Sequence, residues 1–248
     1  MSPASTEKFL LEQYAGHPAS QLQDLRKALY QSVFGCGHLI TDTSAAEGIR
    51  REAAEAGPCS REIEALDGPW SRVQLGVLAD GLTPETLACI FARSAAMPHG
   101  DADTLQEKLT VLRRLIHSGT LPYSPSEAEG ELDDWQKNGF PACRHSEEYR
   151  AAYRPAYRVL HRTYVRLLPL LTAIDRALAE NPRVLLAIEG GAASGKSTLA
   201  DLLTAIYPDT ALFHADDFFL RPEQRTAARY AQPGGNLDRE RLESEILA

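Results

Sequence analysis

VLLAIEGGAASGKSTLADLL, residues 184–203, is the stretch on which the reading of this 248-residue chain turns. Gly190 is followed by four residues and then by Gly195-Lys196-Ser197, the spacing of a phosphate-binding loop. Val184 to Ile188 is a short apolar run that predicts a parallel strand buried on both faces. Ser197 to Leu203 predicts the first turns of a helix, with Leu199, Leu202 and Leu203 on one face. The spacing has a chemical reason. Gly190, Gly191 and Gly195 let the backbone turn tightly and approach a polyphosphate with no Cβ in the way. The loop amides, through Ala192, Ala193 and Ser194, and the helix N-terminus then point at the anion. Lys196 would reach the β- and γ-phosphates, and Ser197 would ligate Mg²⁺. The competing reading, a glycine-rich turn that binds nothing, is disfavoured by the predicted strand before the loop and the predicted helix after it.

Outward from that loop, the chain's composition removes several function classes. The formal net charge of -8 leaves no global basic footprint for nucleic acid. No apolar run approaches the roughly 20 residues that span a bilayer. The N-terminus, MSPASTEKFLLEQY, lacks the basic and apolar regions of a signal peptide. Cys36, Cys59, Cys89 and Cys143 are scattered, which predicts reduced thiols in a cytoplasmic protein. Cys143 and His145 lack the second ligand pair a zinc site needs.

Residues 1–180 read as a helical domain. Leu22, Leu25, Leu29 and Val33 predict an amphipathic helix over Gln21–Phe34, ended by Gly35 with a turn through Cys36, Gly37 and His38. Thr43 is a candidate cap for a helix to Ala56, and a short helix is expected over Ser60–Leu66. Asp67-Gly68-Pro69 is a turn signal, and Ser71–Leu78 alternates as a strand would. Thr83-Pro84-Glu85 starts a helix to about Ala96, and the leucine stripe Leu105, Leu109, Leu112 and Leu115 marks another. Ser124–Gly139 reads as an acidic helix packed through Trp135. From Ser146 to Glu180 a long helical pattern is expected, broken or kinked at Pro155. Its arginines fall mostly four apart, so they predict one basic face, pairing with the acidic helix or binding phosphate. Asn181-Pro182 ends it.

Beyond the loop helix, Thr210–His214 predicts a second buried strand ending in Ala215-Asp216-Asp217-Phe218-Phe219. Carboxylates at a strand's carboxyl end beside a phosphate loop stand where parallel α/β folds place chemistry. The segments AIEGGAASGKSTLADLL, FHADDFFL and GGNLDRERLESEIL resemble the uridine kinase-like branch of P-loop kinases, near the phosphoribulokinases and pantothenate kinases, over residues 182–248 only. The resemblance implies ATP and Mg²⁺, with γ-phosphoryl transfer to a hydroxyl of a small-molecule acceptor. It implies that Gly190 to Ser197 hold ATP, with Thr198 next to the phosphates. It implies that Asp216 takes the acceptor's proton, that Asp217 is a candidate metal ligand, and that Tyr230, Asn236 and Asp238 lie where the acceptor is contacted. Arg221, Arg225 and Arg229 are read either as further groups holding substrate or phosphate or as a solvated basic face. The segment AQPGGNLD departs from the DHPDAFD-like segment of uridine kinases proper, so the acceptor is read as a nucleoside or another metabolite.

The expected architecture is a mostly α domain, 1–180, followed by an α/β P-loop NTPase domain with a parallel sheet, 181–248. Two strands are fewer than such sheets usually contain, so this second domain is expected to be the N-terminal portion of a larger one. An alternative reading is a nucleotide-binding regulatory module whose working part is the helical domain.

Overall fold

A computed structural model describes residues 2–36 and 45–247. The described chain is mostly helical, with one three-stranded antiparallel sheet, and forms two compact units that divide between Leu185 and Leu186. The expected turn residues Gly37 and His38 and the expected cap Thr43 lie outside the described residues.

The first unit is built from locally encoded helices. α1 (Pro3–Gly16) starts at the Ser2 cap, and α2 (Leu22–Phe34) follows Gln21, ending at Gly35 with φ +63°. A Cβ at Gly35 would come within 2.7 Å of the Trp70 ring, so both the backbone angle and the close approach require glycine there. α3 (Ala45–Ala56) precedes the strands β1 (Ile63–Ala65) and β2 (Trp70–Gln74). α4 (Pro84–Ala95) is capped by Thr83, whose hydroxyl accepts from Thr86 N. α5 (Ala102–His117) is capped by Asp101. α6 (Pro125–Lys137) is the acidic helix, with Trp135 buried. α7 (Glu147–Tyr153), β3 (Tyr157–His161), α8 (Arg162–Val165) and α9 (Leu168–Glu180) complete the unit.

Two expectations fail here for the same reason. Residues 60–66 are not helical, and the long helix expected from Ser146 is interrupted by a strand. Both β1 and β3 pair antiparallel with β2, Ile63 opposite Val73 on one edge and Trp70 opposite His161 on the other. Strand hydrogen bonds are made between segments distant in sequence, so they override a local helical period. Arg154, at φ +44°, closes α7, and Pro155 blocks its continuation. The arginines therefore share no helix face. Arg158 pairs with Glu52 at 2.7 Å and lies over the Phe91 ring, while the acidic helix is paired instead with Arg26 and Arg113. β2 also stops at Gln74, where the chain tightens into a 3-10 turn over Leu75–Asp80.

The core lies where α2 meets β2 and α5, and where α4 meets β3. Leu25, Leu29, Trp70, Val73, Leu87, Ile90, Leu105, Leu109 and Leu160 are all buried there. Each fully buried Leu or Ile contributes roughly 1.5–3 kcal/mol relative to an exposed one.

The second unit has α10 (Lys196–Ile206), a 3-10 turn at Ala215–Phe218, α11 (Ala227–Tyr230) and α12 (Arg239–Leu242), which runs on as wider turns through Glu243–Leu247. The two expected parallel strands are absent among the described residues. Residues 184–188 and 210–214 have no ladder partner, and Leu185, Leu186, Leu212 and Phe213 are exposed rather than covered on both faces. An extended segment becomes a strand only when a neighbour takes its N–H and C=O groups. The described pairing in this unit is instead an antiparallel bridge of Phe219 with Leu237.

Candidate functional site

The residues around Lys196 adopt a loop closed on a helix N-terminus. Gly195 caps α10 at φ +88°, and Ala193 sits at φ +57°, both in the left-handed region. Ser194 N donates to Gly191 O at 3.3 Å, which folds the loop back on itself. A Cβ at Gly190 would come within 2.7 Å of Ser194 Oγ, so a side chain there would push the serine hydroxyl out of the turn. The first intrahelical bond runs from Leu199 N to Gly195 O at 2.9 Å. The amides of Lys196, Ser197 and Thr198 precede it and form the electropositive end of an eleven-residue helix. Lys196 Nζ donates to the carbonyls of Gly190 (2.9 Å) and Gly191 (2.8 Å), which folds its ammonium over the loop. The loop is exposed from Gly190 to Gly195. A cation and free amides around a glycine-rich turn fit a polyphosphate.

Asp216 and Asp217 lie in the 3-10 turn that follows His214, and both are exposed. The turn is held from below. Phe218 is buried against the Arg241 guanidinium, 4.5 Å from its ring centre, and Arg241 Nη2 donates to Asp217 O at 2.6 Å. The acidic pair thus stands on a fixed backbone with its carboxylates outward. No group of three or more His, Cys, Asp or Glu side chains able to hold a metal forms among the described residues.

Of the six candidates for holding the acceptor or its phosphate, the structure brings three together. Arg225, Tyr230 and Asn236 line one cavity of about 230 Å³ with Phe219 and Leu220. Asp238 stands apart from it, buried, with its carboxylate capping α12 through Arg241 N at 3.1 Å. Arg229 is engaged by Glu240 at 2.5 Å, and Arg221 is exposed.

A second polar assembly in the first unit was not anticipated. Asp24, buried, accepts from Gln21 N (2.9 Å), His145 Nδ1 (2.8 Å), Ser146 N (3.0 Å) and Ser146 Oγ (2.6 Å). His145 Nε2 meets Tyr157 Oη at 2.7 Å, and its ring stacks on Tyr149 with centroids 4.0 Å apart. The chain continues through Gln31 to Arg72, whose guanidinium reaches Gln13 and Glu64. Burial, aided by the Arg72 and Lys27 charges, pushes His145 down to about 4 despite its bond to Asp24. Burial alone would raise the Asp24 carboxyl, but the bonds from His145, Ser146 and Gln21 outweigh it and hold it below the usual range. Neutral His145 therefore donates from Nδ1 to a carboxylate and accepts at Nε2 from the tyrosine. His145 and Ser146 form the floor of a cavity of about 510 Å³ rimmed by Glu127, Glu131, Glu147 and Glu148. Both His145 nitrogens are committed, and Cys143 Sγ contacts Gln23 O at 3.7 Å, so these residues do not converge as zinc ligands. The one local signal for this assembly was Ser146 ahead of Glu147 and Glu148, a helix start.

No protein-family model matches the chain, and no match is found among the curated proteins or the solved structures. Among the described residues, no helix is long and apolar enough to cross a membrane.

Proposed function

We propose that this protein is an ATP-dependent small-molecule kinase of the uridine kinase-like P-loop class. The observation that carries the reading is the loop at Gly190–Ser197, with Lys196 folded over it and the α10 amides open at its end. Gly190 to Thr198 bind the phosphates, with Lys196 countering their charge. Ser197 supplies a hydroxyl to Mg²⁺, and Asp217 is its candidate carboxylate ligand. Mg²⁺ is commonly held by only one or two protein groups together with phosphate oxygens, so this small ligand set suffices. When bound, Mg·ATP supplies the transferable phosphoryl group. In the transfer, the acceptor's hydroxyl oxygen would bond to the γ-phosphorus as the bond to the β–γ bridging oxygen broke, with that electron pair leaving on ADP. The Asp216 carboxylate would take the hydroxyl proton. Such catalysis is chiefly positioning and charge stabilisation.

The test is Mg·ATP binding to the full chain and to Lys196→Ala. Hydrogen exchange at the Lys196–Thr198 amides should slow with Mg·ATP in the parent chain and not in the variant. At a nucleotide concentration of about 100 times Kd, mass action should stabilise the unit that binds it by about 2.7 kcal/mol. Equal protection in both chains would refute the role given to the loop lysine.

A second reading, a nucleotide-binding module in which the helical unit does the work, is favoured by the larger cavity lying in that unit. ATP binding with no acceptor-dependent ADP release, across a panel of nucleosides and hydroxylated metabolites, would select it.

A further inference from the structure

We infer that the cavity lined by Arg225, Tyr230, Asn236, Phe219 and Leu220 takes a small single-ring compound carrying an acidic group, phosphate or carboxylate. That this compound is the phosphoryl acceptor rests on the kinase reading above. The chemistry of the cavity does not.

The walls of the cavity are built. Phe219 bridges Leu237, Leu220 N donates to Asn236 O at 3.0 Å, and Asp238 N donates to Phe218 O at 2.7 Å. These bonds tie the 218–220 strand segment to the 236–238 segment, so the side chains at 219 and 236 project from a fixed pair of backbones. Leu220 is 2% exposed and forms an apolar floor.

The acid comes from Arg225. Its Nε donates to Leu220 O at 3.1 Å, which anchors the guanidinium through one nitrogen and leaves the edge bearing Nη1 and Nη2. Among the described residues no carboxylate lies within ion-pair distance of it, whereas nearby Arg229 and Arg241 are held by Glu240 and Glu245. A guanidinium edge presents two parallel donors, which match the oxygens of a carboxylate or phosphate.

The ring comes from Phe219 and Tyr230, 45% and 54% exposed, in a unit where Phe218 and Leu220 are buried. Aromatic faces left open beside a cation favour a planar ligand, by stacking and apolar contact. Asn236 adds an amide able to both donate and accept to a ring substituent. At about 230 Å³ the cavity is smaller than the roughly 300–1,000 Å³ typical of sites for drug-sized ligands, and its volume matches about one ring and its acid.

The test is ligand-observed NMR titration of the full chain with phenyl phosphate, benzoate, phenol and inorganic phosphate. Phenyl phosphate or benzoate should bind, and the tighter of the two identifies the acid. Phenol and inorganic phosphate should each be weaker by about tenfold or more, since each lacks one of the two contacts. Arg225→Gln and Tyr230→Ala, both at exposed positions, should each weaken the ring acid by about tenfold, with Arg225→Lys intermediate. Lys196→Ala should leave its affinity unchanged. Failure of both ring acids to bind, an unchanged affinity in Arg225→Gln, inorganic phosphate binding as well as phenyl phosphate, or loss of ring-acid binding in Lys196→Ala would each overturn the inference. If the ring acid binds as described while Mg·ATP protects the parent chain and Lys196→Ala equally, the kinase reading falls and the cavity's ligand class stands.

Discussion

Replacing Asp24 by alanine should destabilise the helical unit by about 3–5 kcal/mol. Asp24 is 3% exposed, and its two oxygens accept four hydrogen bonds at 2.6–3.0 Å. Losing the bond to Gln21 N removes the cap of α2, worth about 1 kcal/mol. Ser146 N–H, Ser146 O–H and His145 Nδ1–H would be left as donors in a buried site, and each such orphan costs about 1–3 kcal/mol, less than additively because they share one partner. Asp24→Asn should lose about half as much. Whichever way its amide is turned, one of the two donor pairs faces an NH₂ instead of an oxygen. Glu131→Ala, at the rim of the same cavity and paired with Arg26 at 3.0 Å, should change stability by less than about 1 kcal/mol, because the carboxylate it removes is exposed to solvent. The assay is urea denaturation followed by tryptophan fluorescence. The chain has 2 tryptophans, Trp70 and Trp135, both buried in the helical unit, so the signal reports that unit alone. A loss below about 1 kcal/mol for Asp24→Ala, at an unchanged denaturant slope, would refute the view that this carboxylate holds α2 and α7 together.

Acid should weaken the same unit. His145 titrates near 4 when folded against an ordinary 6.5, so the unfolded chain binds the proton more readily, and stability falls as pH drops from about 6.5 to about 4, by up to roughly 3 kcal/mol. The lowered Asp24 carboxyl adds a loss below its ordinary 3.8 in the same direction. Tryptophan-detected denaturation across that range should show this slope, reduced in His145→Gln. In the glycine-rich loop before α10, Gly195→Ala should lower loop stability, and with it the proposed Mg·ATP affinity, by roughly 1–2 kcal/mol, because φ +88° is strained for any side chain although the space is open. Gly191→Ala, with open space and no such angle, should be near neutral in calorimetric titration. Asp216→Asn should abolish acceptor-dependent ADP release while leaving Mg·ATP affinity within about twofold, since the carboxylate is assigned to the acceptor's proton. A matched loss of ATP binding would move it to the metal.

Local signals in the sequence marked several elements well. Thr83-Pro84 and the leucine stripe of α5 each mark a helix within a few residues; α4 begins where the Thr83-Pro84 signal stands, whereas the stripe marks α5 without fixing its cap, which the structure places at Asp101. Tyr157–His161 was illegible because Arg and Tyr at four-residue spacing imitate a helix, while the hydrogen bonds that make it β3 come from Trp70–Gln74. The Asp24–His145–Tyr157 assembly was illegible for the same reason: its members meet only after the chain has folded. Around Gly190–Ser197, the glycine-rich turn and α10 were readable, because both are local. The strands expected at 184–188 and 210–214 rested on apolar content alone, which says what a segment would gain by burial but not whether a partner lies beside it. Tyr230, Asn236 and Asp238 stand out by resemblance, and Arg225 only as one of three nearby arginines. The Asp238 carboxylate is spent instead on capping α12 through Arg241 N.

The position of β2 between β1 and β3 has a consequence for how the protein is made. Synthesis delivers β1 and β2 together, joined by the tight turn at Gly68, but α4, α5, α6 and α7 must all be produced before β3 appears. Until then one edge of β2 keeps its amides and carbonyls open, and an open edge can pair with other chains. A nascent chain paused anywhere short of His161 therefore carries a sticky, half-built sheet. The helical unit closes late on the ribosome, which makes the interval before β3 emerges the stage at which chaperone binding would matter most.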